Sequence, residues 1–523
     1  MHWGAVHVDN FKRGLKVFVT LCTSLTPMML VAPQSTLLKI FQRLGISNKL
    51  PNASRFLENH FGSTHGKNRV SHEFIGCGKS IGIAQSSSFA GVPGEGPFTV
   101  DQSRLSNELH DWVPDEKKGA SHRSSTVLYY LTNAKPFTNS GYTERTQHML
   151  EALHTAGVSV KAVTRLGYPA IVGILRFPVT YNVKSVEYST LVPSYMPIMR
   201  KKREQKAVEL LSRTVVKEHP RILHTTTDYI NAVVVSNVAR QFGLPWIYEV
   251  RGEPHNTWLS KQPPDFVEAA KRSNFYQNSA QQEINAAMSA DRVICLSEVS
   301  KARLRNSGVP AAKLVVIPNA VDENLIGRQY SKLALREKYK IANRITVGTV
   351  SSLVNYEGID DLLRALTLLE DVNCLIVGDG ESREKLQTLA VELGVSERVT
   401  FVGKKPSPNI WEWYAVMDVF VMPRKDAEVS RSVTPIKGMI AQALGIPTVA
   451  SDLPALREVT GGNAQYCEAG NPISIASSIR KLIAEPESSR QHRQVSSIQF
   501  AASRTWRSNA EQLRKVYDEL AAR

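Results

Sequence analysis

Cysteine is scarce in this 523-residue chain: Cys22, Cys77, Cys295, Cys374 and Cys467 are odd in number, far apart and without a Cys-x-x-Cys pair. A disulfide framework and a zinc ribbon are thereby excluded. Cys295 and Cys374 lie inside apolar runs and read as buried, reduced core residues, which fits a reducing cytoplasm. Long apolar stretches are also few. One runs from Val17 to Pro33 after Lys12, Arg13 and Lys16, but Thr20, Thr23, Ser24, Thr26 and Pro27 interrupt it and no small-x-small cleavage site accompanies it. It reads as a packed or peripheral segment rather than a membrane span or a signal peptide. Acidic residues are outnumbered, 48 against 64 Lys and Arg, for a formal charge of +16. That balance suits a nucleic acid, an acidic membrane surface or a phosphorylated substrate without choosing among them. Interleaved aromatic and basic residues, the mark of a nucleic-acid binder, are missing, so nucleic acid is not an expected partner.

What is present is a globular composition long enough for two to four domains. The first part differs from the rest: Gly76–Lys118 is rich in Gly, Ser, Pro and charge, the composition of a disordered linker. Residues 1–123 are therefore expected to form an extension, irregular and partly disordered. From Ser125 onward, apolar runs of strand length alternate with helical patterns. The expected strands are Thr126–Thr132, Ser159–Thr164, Arg221–Thr225, Trp246–Val250, Arg292–Leu296 and Leu314–Ile317, then Ile345–Val350, Cys374–Val377, Thr400–Val402, Val419–Met422 and Thr448–Ala450. Their Val and Ile content with little polar alternation suits parallel strands buried on both faces. Helices are expected over Thr143–Ala156, Asp360–Leu369, Ser382–Leu393 and Ser508–Ala521. Repeated β-α units imply two doubly wound α/β domains, 124–325 and 326–505, with 506–523 as a closing helix.

Ligands of such sheets bind beyond the carboxyl ends of the strands. Gly141 follows the first strand in a turn that leads into a helix. His224 stands at the end of the third, either as a structural residue or as a catalyst. Arg251, between Glu249 and Glu253, is either a salt-bridged strand end or a clamp for phosphate or carboxylate. In the second domain, Ser351 and Ser352 follow one strand and Gly378-Asp379-Gly380 the next, both ahead of helices and both candidate anion cradles. Farther on, Thr434 is a good N-cap, Pro435 suits the first helical position, and Gly445 closes the helix. Lys437 in the first turn opposes the helix dipole, a conflict that a bound anion would relieve. Tyr195–Arg203 joins apolar residues to Arg200, Lys201, Lys202 and Arg203, as a solvated helix start or as a peripheral contact with an acidic bilayer.

Together these segments resemble the retaining glycosyltransferases of family 4, of the type that builds actinobacterial polysaccharide and cell-envelope glycans. The resemblance rests on Ser140–Thr146, Tyr248–Gly252, Leu296-Ser297-Glu298, Ile317–Asp322, Gly348–Leu363, Val377–Gly380 and Asp418–Glu458. It implies the GT-B fold, two Rossmann-like domains with an interdomain cleft. A nucleotide-diphosphate sugar would be held mainly by the second domain, and a glycan, lipid-linked or polyol acceptor by the first. It implies retention, no cofactor and no metal, and the sequence shows no Asp-x-Asp pair after a strand to carry one.

Catalysis is expected of His224, Arg251 and Lys437, from their places at strand ends and at the helix start. Donor binding falls to Gly141, Ser351, Ser352, Gly378, Asp379, Gly380, Arg424, Lys425, Ser432, Val433 and Thr434. The family usually has Glu at the positions of Ser432 and Ile440, and an Arg and a Lys where Ser352 and Glu357 stand. Replacement cations are Lys437, Arg424, Lys425 and Arg431, with Arg251 from the first domain. The missing Glu residues keep open a second class of function, a catalytically weak partner subunit or scaffold. The expected location is the cytoplasm, with peripheral contact at the inner face of the membrane.

Overall fold

The computed structural model describes residues 125–174 and 179–522. The expected extension, including Val17–Pro33 and the 76–118 linker, lies outside the described residues. Among the described residues no helix is long and apolar enough to cross a membrane.

The first eight strands are β1 (Val127–Leu131), β2 (Val160–Thr164), β3 (Thr180–Val183), β4 (Val186–Thr190), β5 (Ile222–Thr226), β6 (Trp246–Val250), β7 (Arg292–Cys295) and β8 (Leu314–Val316). They form one sheet in the order β3-β4-β2-β1-β5-β6-β7-β8. The next six are β9 (Thr346–Val350), β10 (Asn373–Val377), β11 (Val399–Gly403), β12 (Val419–Met422), β13 (Thr448–Ser451) and β14 (Gln465–Cys467), in the order β11-β10-β9-β12-β13-β14. Apart from the antiparallel β3-β4 hairpin, the registered pairs are parallel. The two-sheet α/β architecture expected from the apolar runs is present.

Three strands escaped the sequence reading. β3 alternates exposed and half-buried residues, and β4 alternates buried residues with exposed or half-buried ones, so neither carries a continuous apolar run. β14 is three residues long. The chain divides into two compact units: described residues up to Thr143 with Val158–Ile247, and Glu144–Gly157 with the chain from Tyr248 onward.

In the second sheet, alternation along each strand feeds two cores. Cys374 and Ile376 of β10 join Val347, Leu362, Leu363 and Ile479 on one face. Leu375 and Val377 join Phe420, Met439, Ala450 and Leu456 on the other. Helices Ile359–Leu366 and Pro472–Ile483 supply the first core, and Ile436–Ala443 and Pro454–Thr460 the second. Cys295, Cys374 and Cys467 are free and buried, and burial pushes their thiols up to about 12. The closing helix, Trp506–Ala521, begins two residues before the expected Ser508, because Thr505 and Ser508 form a reciprocal capping box. Asn509 fastens it by donating to the Pro318 carbonyl at 2.7 Å.

One core residue breaks the apolar rule. Gln442 is fully buried in helix Ile436–Ala443, and neither its amide nitrogen nor its amide oxygen meets a partner. Leaving such groups unpaired costs roughly 1–3 kcal/mol. Gln442→Met, close in volume, is therefore expected to raise stability by about 1 kcal/mol, or a few degrees in Tm, read by thermal denaturation.

Candidate active site at the reversal of strand order

From β9 the chain builds outward to β10 and β11, then returns to lay β12, β13 and β14 on the other side. The order reverses between β9 and β12, which pair with each other. The crevice beyond the carboxyl ends of strands at such a point is where open α/β sheets bind ligands.

Three charged side chains converge there. Glu357 follows β9, Arg424 follows β12, and Lys437 lies in the first turn of helix Ile436–Ala443. Their side chains are 7%, 6% and 16% exposed. Arg424 Nη2 donates to Glu357 Oε1 at 3.0 Å and Arg424 Nε to Oε2 at 3.4 Å. Lys437 Nζ lies 2.9 Å from Oε1 and donates to Ser351 Oγ at 2.6 Å. Burial pushes the Glu357 carboxyl up, but Arg424 and then Lys437 outweigh it and hold it down to about 2. Burial also lowers the Lys437 ammonium against the pull of Glu357. One carboxylate between two cations leaves a local excess of one positive charge. An ammonium has three donors, and Glu357 and Ser351 take two of them.

The neighbouring loops are fixed by backbone contact. A Cβ at Gly378, where φ is +139°, would stand 1.7 Å from the Ser351 carbonyl oxygen, and one at Gly358, where φ is +69°, 1.8 Å from that of Pro423. Only glycine fits either place. The Gly378 N–H donates to the Gly403 carbonyl and the Gly380 N–H to the Asp379 carboxylate. The expected cradle is thus a seam in which these two amides are already engaged. Ser352 and Asp379 are exposed beside it.

Other expected donor-site residues are partly diverted. Lys425 pairs with Asp360 at 2.5 Å, and Arg431 with Asp426 on the surface. Thr434 is not the N-cap. The helix begins one residue later than expected, with extended Pro435 in the cap position, and the Thr434 hydroxyl instead faces the Leu296 carbonyl at 3.5 Å. Gly141 opens its helix exposed, with nothing near its Cβ position, and the reciprocal Ser140–Thr143 bonds form that cap.

The two remaining catalytic candidates are buried. β5 runs through Thr226, so His224 sits inside the strand, opposite Tyr129 of β1, rather than beyond its end. It is fully buried and stacks on Tyr129 at 4.2 Å, the placement of a structural residue. Arg251 donates to Glu249 Oε2 at 2.8 Å and to Thr146 Oγ1 at 2.5 Å, the salt-bridged strand end of the two readings. Glu249 is itself shared with Arg145, at 2.8 Å. Arg145, only 1% exposed, also donates to the Pro318 and Ile317 carbonyls at 2.7 and 2.8 Å.

Beside these clusters a small cavity is lined by Arg251, Glu253, Ser300, Ser432, Val433 and Thr434, among others. It joins the charge cluster through Val433, whose carbonyl accepts from Arg424 Nη1 at 2.8 Å. Sequence reasoning missed Glu253 as its centre. Ser432 Oγ donates to Glu253 Oε2 at 2.8 Å, Arg303 Nη1 at 3.0 Å and Asn256 Nδ2 at 2.5 Å. Asn256 in turn accepts from Tyr276 at 2.8 Å. The only signal was an acid one residue beyond Gly252; Arg303 and Tyr276 lie too far along the chain for any spacing to show. In sequence Glu357 reads only as a departure from a basic position, and nothing marks Arg145 as a tie.

Comparison with known proteins now places the chain. Residues 140–320 match the Glycosyl transferase 4-like domain and residues 331–496 match Glycosyl transferases group 1. The GDP-mannose-dependent alpha-(1-6)-phosphatidylinositol monomannoside mannosyltransferase of Mycolicibacterium smegmatis is 30% identical over 207 residues, 38% of this chain and 54% of that protein. Its Mycobacterium tuberculosis namesake is 31% identical over 170 residues, 31% of this chain and 44% of that protein. The chain thus spans about half the length of the curated relatives it matches. Among solved structures, sucrose-phosphate synthase from Thermosynechococcus elongatus superposes with a TM-score of 0.62 at 21% identity, covering 76% of this chain and 99% of that one. Anabaena HepE in complex with UDP-glucose does so with a TM-score of 0.57 at 21% identity, covering 75% and 99%. These likenesses show the fold, which is GT-B. The two domain matches, in series along the chain, are both to glycosyl transferase families.

The charge cluster sets a pH prediction. A carboxyl held at about 2 against an ordinary 4.5 contributes stability that is complete above about pH 4.5 and lost as pH falls toward 2. Glu357→Gln, which leaves two cations facing each other, is expected to cost about 3–5 kcal/mol at neutral pH and to flatten that acid limb, measured by urea denaturation between pH 7 and pH 3.

Proposed function

We propose that the protein transfers a sugar, with retention and without a metal, from a nucleotide-diphosphate sugar to a glycan, lipid-linked or polyol acceptor. The carrying observation is the Lys437–Glu357–Arg424 cluster at the reversal point of the sheet within the group 1 match. Its excess positive charge and the third Lys437 donor suit a diphosphate. Residues 326–505 act as the donor domain and 124–325 as the acceptor domain. Lys437 and Arg424 hold the diphosphate as charge develops on it, while Ser351, Ser352 and the 378–380 seam fix the loops around it. Fixed cations aimed at a leaving group supply the main catalytic contribution, and alignment of donor with acceptor hydroxyl supplies much of the rest. Retention means that the new bond forms on the face the diphosphate leaves.

The named substrate of the mycobacterial relatives supports a lipid-linked acceptor. So does the surface around the start of helix Arg200–Glu218. Tyr195, Ile198 and Met199 are 59%, 61% and 65% exposed beside the exposed Lys201 and Lys202. This surface sits peripherally on the acidic inner face of the membrane.

Two measurements test this reading. A nucleoside diphosphate or its sugar nucleotide at a hundredfold its Kd stabilises the fold by about 2.7 kcal/mol in thermal denaturation. Lys437→Met then weakens binding about tenfold or more, as expected for loss of a charge-assisted bond of roughly 1.5–3 kcal/mol. No stabilisation by any of UDP, GDP, UDP-glucose or GDP-mannose would overturn the donor reading. In a flotation assay the chain binds vesicles containing phosphatidylserine but not pure phosphatidylcholine. Lys201→Glu with Lys202→Glu is expected to abolish most of that binding, since each cation contributes about 1 kcal/mol. Equal binding to both vesicles would remove the membrane contact.

A further inference from the structure

Glu253 is the only carboxylate among the named lining residues of the cavity beside the diphosphate cluster, and its hydrogen bonding is one-sided. Ser432, Arg303 and Asn256 all donate to Oε2, at 2.8, 3.0 and 2.5 Å. No described residue donates to Oε1. The support beneath is stiff: Asn256 is fully buried, Ser432 is 5% exposed, and Tyr276 holds Asn256 at 2.8 Å. His255, beside it in sequence, is 8% exposed, stacks edge-on against Tyr276, and has a ring nitrogen, Nδ1, without a partner. Burial, then Arg303, pushes His255 down to about 4, so at neutral pH it adds no charge to the network.

A carboxylate held rigidly by one oxygen, with the other unengaged, is built to accept a hydrogen bond from a ligand hydroxyl. The cavity is one residue from the cluster, because Val433 both lines it and receives Arg424. A ligand whose diphosphate lies on Lys437 and Arg424 would carry a hydroxyl-bearing group toward Glu253.

We propose that Glu253 is a sugar-recognition residue that accepts a hydrogen bond from a hydroxyl of the transferred sugar, with Ser432, Arg303 and Asn256 as its positioning residues. The proposal rests on the glycosyltransferase reading above. It gives Ser432 a role that its own side chain does not suggest. The serine contacts no sugar but orients a carboxylate that comes from the strand end after β6.

The test compares a bare nucleoside diphosphate with its sugar nucleotide, UDP against UDP-glucose and GDP against GDP-mannose, by titration calorimetry on the full chain. Glu253→Gln is expected to weaken the sugar nucleotide about tenfold and to leave the bare diphosphate within about twofold, the size of one charge-assisted hydrogen bond. Ser432→Glu added to Glu253→Gln returns a carboxylate from the other side of the same contact, and most of the sugar-dependent affinity returns with it. Should Glu253→Gln fail to fold, Glu253→Asp keeps the charge, withdraws the oxygen by one methylene, and gives the same readout. An equal loss for both ligands would make Glu253 a structural ion-pair partner of Arg303 and overturn the proposal, as would no loss for either. If the unaltered protein binds neither ligand, the donor reading itself fails and the proposal with it.

Discussion

A carboxylate enters a protein interior only in company, because an unpaired buried charge costs several kcal/mol. Among the described residues, two buried glutamates meet that constraint with the same solution, one carboxylate between two cations. Glu249 lies between Arg145 and Arg251, and Glu357 between Arg424 and Lys437. The first cluster is structural. Arg145 spends its remaining donors on the Ile317 and Pro318 carbonyls, and Pro318 also receives Asn509 of the closing helix. It therefore fixes the segment by which the chain leaves the first sheet for the second.

The second cluster carries the same surplus of positive charge to the point where the strand order reverses, and it spends fewer donors internally. Two glycines make this possible. Gly378 and Gly358 let the loops after β10 and β9 approach the Ser351 and Pro423 carbonyls so closely that no side chain fits between. The cations are thereby held in place before any anion arrives, which is the condition for electrostatic stabilisation without reorganisation. Glu253 extends the same logic: three donors fix one oxygen and leave the other to a partner.

Much of the fold was legible in the sequence. Runs such as Cys374–Val377 and Val419–Met422 are buried on both faces, so their composition alone marks parallel strands; the first is one residue longer in the structure and the second has the expected bounds. Strands without such runs, β3, β4 and β14, gave no signal. The site was half legible. Lys437 stands out in the sequence as a cation in the first turn of a helix and Arg424 as a replacement cation, but not that both lean on Glu357, which reads in sequence as a departure from a basic position. His224 and Arg251 also follow the rule of strand ends, yet one is stacked in the sheet and the other is tied to its own neighbour.

The sequence by itself determined the class of fold, the alternation of strand and helix, and several of the residues from which the proposed diphosphate site is built. These are local properties, written in the burial of a strand and the residue types that follow it. Only the tertiary structure decided which charges are already neutralised. Glu357 and Arg424 are 67 residues apart, and Glu253 and Ser432 are 179. Ion pairing falls off within a few ångströms, and contacts that short between segments that distant are set by the strand order of the sheets and not by any spacing along the chain.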